Sequence, residues 1–279
     1  MCKRRKDGTL KYCPSRQPGA RSRSKAARRK AIAISTRKHL RHLPDPGSVR
    51  EMSRHVDALA QCGRGWAQSL PRDQMHEVLN YTRGTDQALN RYLTTHGGVL
   101  EEDAQNISVP HDEYGDDHQR VGKGAYSRSM RESVLTLDAA LENAPRLSEP
   151  TVVYRGVEAW GESQSPREWA ESMFAVDSNV VLPSYSSTSA DPVVAVSFGG
   201  IRPVIFEIVS TQGSYVDTFS HFGGEADLDN GEKEIILPRN SRFKVVGIDE
   251  GRIAMEFPDG ESEVSEDTYT FVRMVEVRD

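Results

Sequence analysis

The sequence predicts an α+β fold, with helices first and a mostly antiparallel sheet second. Three observations carry that expectation. Between residues 52 and 93 and again between 130 and 141 apolar side chains recur at helical spacing, with no clear period over 99–125, and from residue 150 the chain changes to short runs of β-branched and aromatic residues. No Gly-x-Gly-x-x-Gly follows any strand-like run, which removes the doubly wound dinucleotide-binding fold. Helices grouped ahead of strands lead to segregated layers rather than alternating βαβ units. At 279 residues the chain is long enough to bury a sizeable core.

The elements follow in order. Residues 1–24 are rich in Arg, Lys, Ser, Gly and Pro and are expected to be disordered. Ser24 to Leu43 reads as a basic helix, because Ala26, Ala27, Ala31 and Ala33 are good helix formers. Pro44-Asp45-Pro46-Gly47 ends it, so 1–47 is a basic arm and 48–279 one domain. Met52, Val56 and Leu59 form a helical stripe that Gly63 and Gly65 stop. Pro71 opens a second helix, with Met75, Val78 and Leu79 on one face. Thr85 is placed to cap a third, which carries Leu89, Tyr92 and Leu93 and ends at Gly97-Gly98. Met130, Val134, Leu137 and Leu141 line a long helix that Pro145 terminates. Strands are expected at Thr151–Tyr154, Asn179–Leu182, Val204–Val209, Ile235–Leu237, Phe243–Ile248, Ile253–Phe257 and Thr270–Val277.

Composition narrows the function classes. Hydrophobic content is 37% and mean hydropathy −0.60, with no long apolar run, so neither a membrane span nor a membrane partner is expected. No secretory leader is visible behind the charged start, which gives cytoplasmic action, or delivery into a target cell by injection or a specialised route, as the expectation. The three cysteines, Cys2, Cys13 and Cys62, are too few and too scattered for a disulfide framework. The net charge of −5 hides an asymmetry: residues 1–43 hold fifteen Lys/Arg and one acid, leaving 21 basic against 40 acidic residues in the remainder. An arm of +14 on a body of −19 is a layout suited to nucleic acid or an acidic partner. No metal is expected. The acidic His111–His118 run lacks ligand spacing, and Asp227-Leu228-Asp229-Asn230-Gly231 puts glycine one place early for a calcium loop, with Pro238 at its twelfth position.

Three polar islands stand in the strand-rich half. Tyr154-Arg155-Gly156 sets an arginine at the end of a strand, a permanently charged fork suited to phosphate, with a glycine that lets a ligand approach the backbone. In Tyr185-Ser186-Ser187-Thr188-Ser189, alternation puts Ser187 and Ser189 on one face and Thr188 on the other. Glu232-Lys233-Glu234 runs into Ile235–Leu237, and an extended lead-in would point both carboxylates to one face. Taken singly, each also fits an ordinary solvated edge or loop.

In this order, Tyr-Arg-Gly, then Ser-Thr-Ser, then Glu-x-Glu, the chain resembles the R-S-E group of mono-ADP-ribosyltransferases, and is similar to the catalytic domains of bacterial binary ADP-ribosylating exotoxins. Phe198-Gly199-Gly200-Ile201-Arg202 before a strand, and Phe219–Gly231 ahead of Glu-x-Glu, fit the same family, as does Tyr81–Leu93 with its Asn90. The likeness covers residues 48–279. It implies a helical N-terminal half packed on two roughly perpendicular, mostly antiparallel sheets, with NAD held between them and consumed as a substrate.

The implied roles map onto single residues. Arg155 and Arg202 would hold phosphates, with Gly156 and Thr188 beside them, and Phe198 would pack on the nicotinamide. Ser187 would orient Glu234, the glutamate that stabilises the sugar cation as nicotinamide leaves. Glu232, Phe219 and Phe222 would recognise the acceptor, and a glutamate at 232 implies a protein with an exposed arginine. The expected activity is thus pentosyl transfer by an NAD-dependent protein-arginine ADP-ribosyltransferase, a toxin or effector of bacterial or phage origin. Asp86 departs from the family, where many relatives have an aromatic. The basic arm keeps two alternatives open: transfer to DNA or RNA, or a non-catalytic nucleic-acid-binding or virion-packaged protein with an inert transferase fold.

Overall fold

A computed structural model describes residues 30–35, 59, 63, 65–100, 129–147, 150–161, 164–217, 233–256 and 262–277. The expectations for residues 1–24, for Met52 and Val56, for the His111–His118 run and for the 227–231 loop lie outside the described residues. So do Phe219, Phe222 and Glu232.

The first half is helical. Pro71 precedes α1 (Arg72–Asn80), its fixed φ suited to a helix start. Thr85 does not cap the next helix. It is itself helical (φ −76, ψ −12), because α1 continues through a π-helical turn at Tyr81–Thr85 into α2 (Asp86–Thr95). A helix entered from another helix has no orphan N–H groups to satisfy, so a capping side chain has nothing to do. Gly97 and Gly98 end α2 with φ of 60 and 80, and the Gly98 N–H donates to the Leu93 carbonyl at 2.7 Å. A Cβ on Gly98 would stand 1.9 Å from Asn240 Oδ1, so that side chain would have to swing away, while the positive φ by itself favours glycine. A Ser129/Glu132 capping box starts α3 (Met130–Glu142).

Among the described residues the sheet has ten strands, one ahead of the helices and nine after them: β1 (Lys30–Ser35), β2 (Thr151–Glu158), β3 (Asn179–Leu182), β4 (Ser186–Ser189), β5 (Pro203–Ser210), β6 (Ser214–Tyr215), β7 (Glu234–Leu237), β8 (Ser241–Glu256), β9 (Ser262–Val264) and β10 (Tyr269–Glu276). The hydrogen-bonded order is β1-β8-β10-β5-β2-β4-β7-β6, with β3 and β9 also on β8. β10 and β5 run parallel and the other pairs antiparallel. Where the resemblance implies two sheets, the strands form one hydrogen-bonded path of two segments, which join at a single residue pair, Tyr154 with Ser189. Two short helices missed by the periodicity complete the fold: α4 (Pro166–Met173), started by a Ser165/Glu168 capping box, and α5 (Pro192–Phe198), capped by Asp191.

Two strand expectations change. Phe243–Ile248 and Ile253 to Glu256 belong to one sixteen-residue strand, β8, and Phe257 lies outside the described residues. Within Ser24–Leu43, read as a helix, Lys30–Ser35 is instead a strand whose backbone pairs with Glu256–Gly251 of β8. Ala31-Ile32-Ala33-Ile34 alternates, and the edge of β8 offers unpaired backbone groups, so pairing outweighs the local preference of alanine for helix.

Alternate residues divide the core. Val153, Phe206, Ile235, Leu237, Phe243 and Val272 gather between the two sheet segments. Ile236 points the other way, into Val78, Tyr81, Leu89, Leu93, Val134, Leu137 and Tyr185. On the outer face, Val152, Tyr154, Ile205 and Phe271 pack with Ala195 of α5. Arg273, 1% exposed, is a charge within the sheet, and Glu207 at 3.3 Å and Asp249 at 3.0 Å meet it. Burial on that scale demands such partners.

The helical layer is fastened to the strands by a polar cluster. Asp138 of α3 accepts from the Tyr185 hydroxyl at 2.5 Å and pairs with Arg239 Nε at 3.0 Å. Arg239 also donates to the Gly98 carbonyl at 2.9 Å. Asp138→Ala removes the carboxylate shared by a buried phenol and an arginine, leaving them only the Val134 and Gly98 carbonyls, and should cost roughly 2–3 kcal/mol. We expect thermal unfolding of the variant about 5–10 °C below wild type, with Asp138→Asn recovering at least half of the difference.

Candidate active site

The β4–β7 register builds the centre. Ser189 lies opposite Glu234 and Ser187 opposite Ile236, so Ser187, Ser189 and Glu234 share one face, as alternation in the Ser-Thr-Ser stretch predicts. Glu234 opens β7 and is 6% exposed. Thr188 faces the other way: buried, it donates its hydroxyl to the Ile235 carbonyl at 2.6 Å, so this side chain holds the β4–β7 pairing and not the shared face.

The single Tyr154–Ser189 pair brings β2 alongside, and Arg155 Nη1 donates to the Ser187 carbonyl at 3.2 Å. Arg155 is mid-strand rather than at a strand end, since β2 continues to Glu158. The close approach that needs Gly156 comes from the protein itself. A Cβ there would lie 1.8 Å from the Ala195 carbonyl oxygen and 2.7 Å from the Gly199 nitrogen, so glycine lets α5 lie on β2. This replaces the ligand approach read from the sequence.

From the helical side comes Tyr81, first residue of the π-helical turn and fully buried. Asn90 Nδ2 donates to its hydroxyl at 3.1 Å, the Ser187 side chain hydrogen-bonds it, and the charges of Arg155 and Asp86 reach it. The Tyr81 ring meets Tyr185 edge to face at 5.6 Å. A π turn of this kind inserts one residue and re-aims the side chains after it, and such turns often occur at functional sites. Burial raises the Tyr81 phenol well above its ordinary range; the Asn90 hydrogen bond, the Arg155 charge and the Ser187 hydrogen bond oppose this. Burial also raises the Asp86 carboxyl, with Arg155 among the groups pulling it back. Asp86 thus puts a carboxyl within reach of the Arg155 charge.

Glu232 lies outside the described residues, and the residue between it and Glu234 changes the geometry expected of the pair. Lys233 has φ 49. The segment is therefore not an extended lead-in, and period-2 alternation does not carry across it. Phe198 and Arg202 sit beyond the centre, at the far end of α5. Phe198 is 61% exposed. The Arg202 guanidinium donates to the Gly161 carbonyl, and the Ala159 N–H to the Arg202 carbonyl at 3.0 Å. Sequence reasoning missed Tyr81, Asp191 and Asp217. Asp191-Pro192 carried a readable helix-start signal, whereas nothing local marked Asp217.

The centre therefore sets a fixed cation and two hydroxyls near a buried carboxylate, which suits gripping an anionic ligand and opposing a cation that forms on it. The family model for the ADP-ribosyltransferase exoenzyme matches residues 60–269. The chain belongs to that family, and its fold is that of bacterial exotoxin catalytic domains. Plx2a, an ADP-ribosyltransferase toxin from Paenibacillus larvae, is 17% identical with a TM-score of 0.53, over 82% of this chain and 97% of that one. An ADP-ribosyltransferase from Clostridium botulinum is 16% identical (TM-score 0.51), over 83% of this chain and 97% of that one. The enzymatic component of the C2-toxin from the same organism is 17% identical (TM-score 0.51), over 80% of this chain but 47% of that one. Among curated protein sequences, none matches. Among the described residues no helix is long and apolar enough to cross a membrane, and no cluster of three or more His, Cys, Asp or Glu is gathered for a metal.

The two buried phenols make an alkaline prediction. Burial raises Tyr81; burial and then the Asp138 carboxylate raise Tyr185. A phenol whose folded pKa lies above its unfolded value, about 10, contributes stability that is complete below that pH and is lost as pH rises beyond it. Of the nine tyrosines, at least two should resist ionisation in an ultraviolet titration until the chain unfolds. Tyr81→Phe should remove one of those two and shift the alkaline unfolding midpoint upward.

Proposed function

We propose that this chain transfers ADP-ribose from NAD to the side chain of a protein arginine, releasing nicotinamide. What supports the reading is the register that sets Ser187, Ser189 and Glu234 on one face, with Arg155 bound to the Ser187 backbone, in a chain of the ADP-ribosyltransferase exoenzyme family.

Breaking the bond between ribose and nicotinamide builds positive charge on the sugar. A carboxylate held next to that charge stabilises the transition state more than the ground state. At ~4 Å and an effective dielectric of about 20, the interaction is worth on the order of 4 kcal/mol, roughly a thousandfold in rate. In this reading Glu234 supplies that carboxylate, and Ser187, itself hydrogen-bonded to the Tyr81 phenol, steadies it. Arg155 grips a phosphate with its planar fork, and Arg202 makes a second phosphate contact once it leaves the Gly161 carbonyl. Phe198 covers the nicotinamide.

An arginine acceptor enters protonated and is a poor nucleophile. Glu232 orients it and takes its proton late in the reaction, in a segment to which Phe219 and Phe222 also belong. The motif thereby divides its duties, with Glu234 serving the sugar and Glu232 the acceptor.

Two substitutions test this reading. Glu234→Gln should lower nicotinamide release from NAD by about a hundredfold to a thousandfold, with the melting temperature little changed; wild-type rates in that variant would sink the assignment. Glu232→Gln should retain slow NAD hydrolysis while losing transfer to protein. The acceptor itself is identified by incubating labelled NAD with a cell lysate and sequencing the modified peptides by mass spectrometry. The expected label resists nuclease and sits on arginine.

A further inference from the structure

The middle residue of Glu-x-Glu is held from three sides. Lys233 adopts φ 49, a left-handed conformation that costs a long L side chain roughly 1–2 kcal/mol and persists only where neighbours enforce it. Its carbonyl accepts from the Ala190 N–H at 3.3 Å. Its ammonium lies 3.4 Å from Asp191 Oδ2, at the cap of α5. The third partner is Asp217, 4% exposed and used by no step of the reaction. Asp217 Oδ1 accepts from the Glu234 N–H at 3.4 Å, and Oδ2 from the Tyr215 hydroxyl at 3.3 Å. The Lys233 N–H hydrogen-bonds the same carboxylate.

A carboxylate this deeply buried is costly unless its lone pairs are filled. Here two consecutive backbone N–H groups and a phenol fill them. The N–H groups are those on either side of the Lys233 Cα, about which the backbone turns left-handed. Asp217 therefore grips the backbone at the point where Glu234 enters β7. The Val216 N–H, one residue earlier, donates to the Glu234 carbonyl at 3.0 Å, so 216–217 holds both ends of the catalytic glutamate's backbone.

We propose that Asp217 is a positioning residue: its carboxylate locks the left-handed Lys233 turn and so sets the direction in which Glu234 presents its own carboxylate. The proposal rests on the role of Glu234 in the reading above. An orienting group of this kind acts on the chemical step and leaves ground-state binding of NAD nearly untouched.

The test uses the full chain, with three variants compared for steady-state NAD hydrolysis. Asp217→Ala should lower kcat at least tenfold while KM for NAD stays within twofold. Asp217→Asn, which keeps one acceptor oxygen, should fall between that variant and wild type. Adding Lys233→Gly to Asp217→Ala should recover kcat fivefold or more, because glycine takes positive φ without a lock. A role confined to stability would lower the folded fraction, leave kcat per folded molecule unchanged and show no such recovery. Unchanged kcat, a loss confined to KM, or no recovery with glycine would each overturn the proposal. If Asp217→Ala does not fold, Asp217→Asn with and without Lys233→Gly carries the same comparison. Amide hydrogen exchange reads the lock without any turnover: protection of the Lys233 and Glu234 N–H groups should fall at least tenfold in Asp217→Asn. Equal protection overturns the lock even in a chain that consumes no NAD, whereas lost protection in such a chain overturns only the functional reading.

Discussion

Tyr154 and Ser189 form the one backbone pair through which β2 joins β4. Arg155 follows Tyr154 in the chain, and Ser189 lies opposite Glu234. That contact therefore sets the distance between the cation and the carboxylate of the candidate site, although Arg155 and Ser187 are 32 residues apart in sequence. β4 and β7 have four residues each, and strands this short have little stability of their own. Burial on both faces of β7 holds them. Ile235 and Leu237 fill the space between the sheet segments and Ile236 the space under the helices, all three fully buried. At about 1.5–3 kcal/mol for each such side chain, the β4–β7 ladder is anchored by what lies above and below it.

The helical layer has a second duty beyond covering that ladder. Tyr185, one residue before β4, is fastened to α3 through Asp138 and the Val134 carbonyl, and Arg239, two residues after β7, reaches the same Asp138 and the end of α2. Both strands of the site are thus tethered at their outer ends to helices. At the inner end Tyr81 brings a buried hydroxyl against Ser187. The π turn there lets one helix run on from Arg72 to Thr95 while presenting both Tyr81 and Asp86 toward the arginine.

Much of this was legible in the residues. The stripe of α3 and the β-branched runs of β2, β3, β5, β7 and β10 follow from periodicity alone, because a side chain's direction repeats with the backbone. The shared face of Ser187 and Ser189 was legible for the same reason. The misreadings have one cause, a distant partner. Ala31 to Ile34 favours helix locally, but the edge of β8 takes it as a strand. Gly156 looked like room for a ligand, and α5 fills the room. Lys233 looked extended, and Ala190, Asp191 and Asp217 hold it left-handed.

The sequence by itself therefore determined the α+β class, the order of the islands bearing Arg155, Ser187 and Glu234, and the split of side chains across each strand. These depend on local periodicity and on residue chemistry, which are written along the chain. Tertiary structure alone decided which islands meet, which hydroxyl is spent on the backbone, and which way Lys233 turns. Those outcomes depend on the Tyr154–Ser189 junction, the packing of α5 on Gly156 and the buried carboxylate of Asp217. Each is a contact between residues far apart in sequence, and no local preference encodes it.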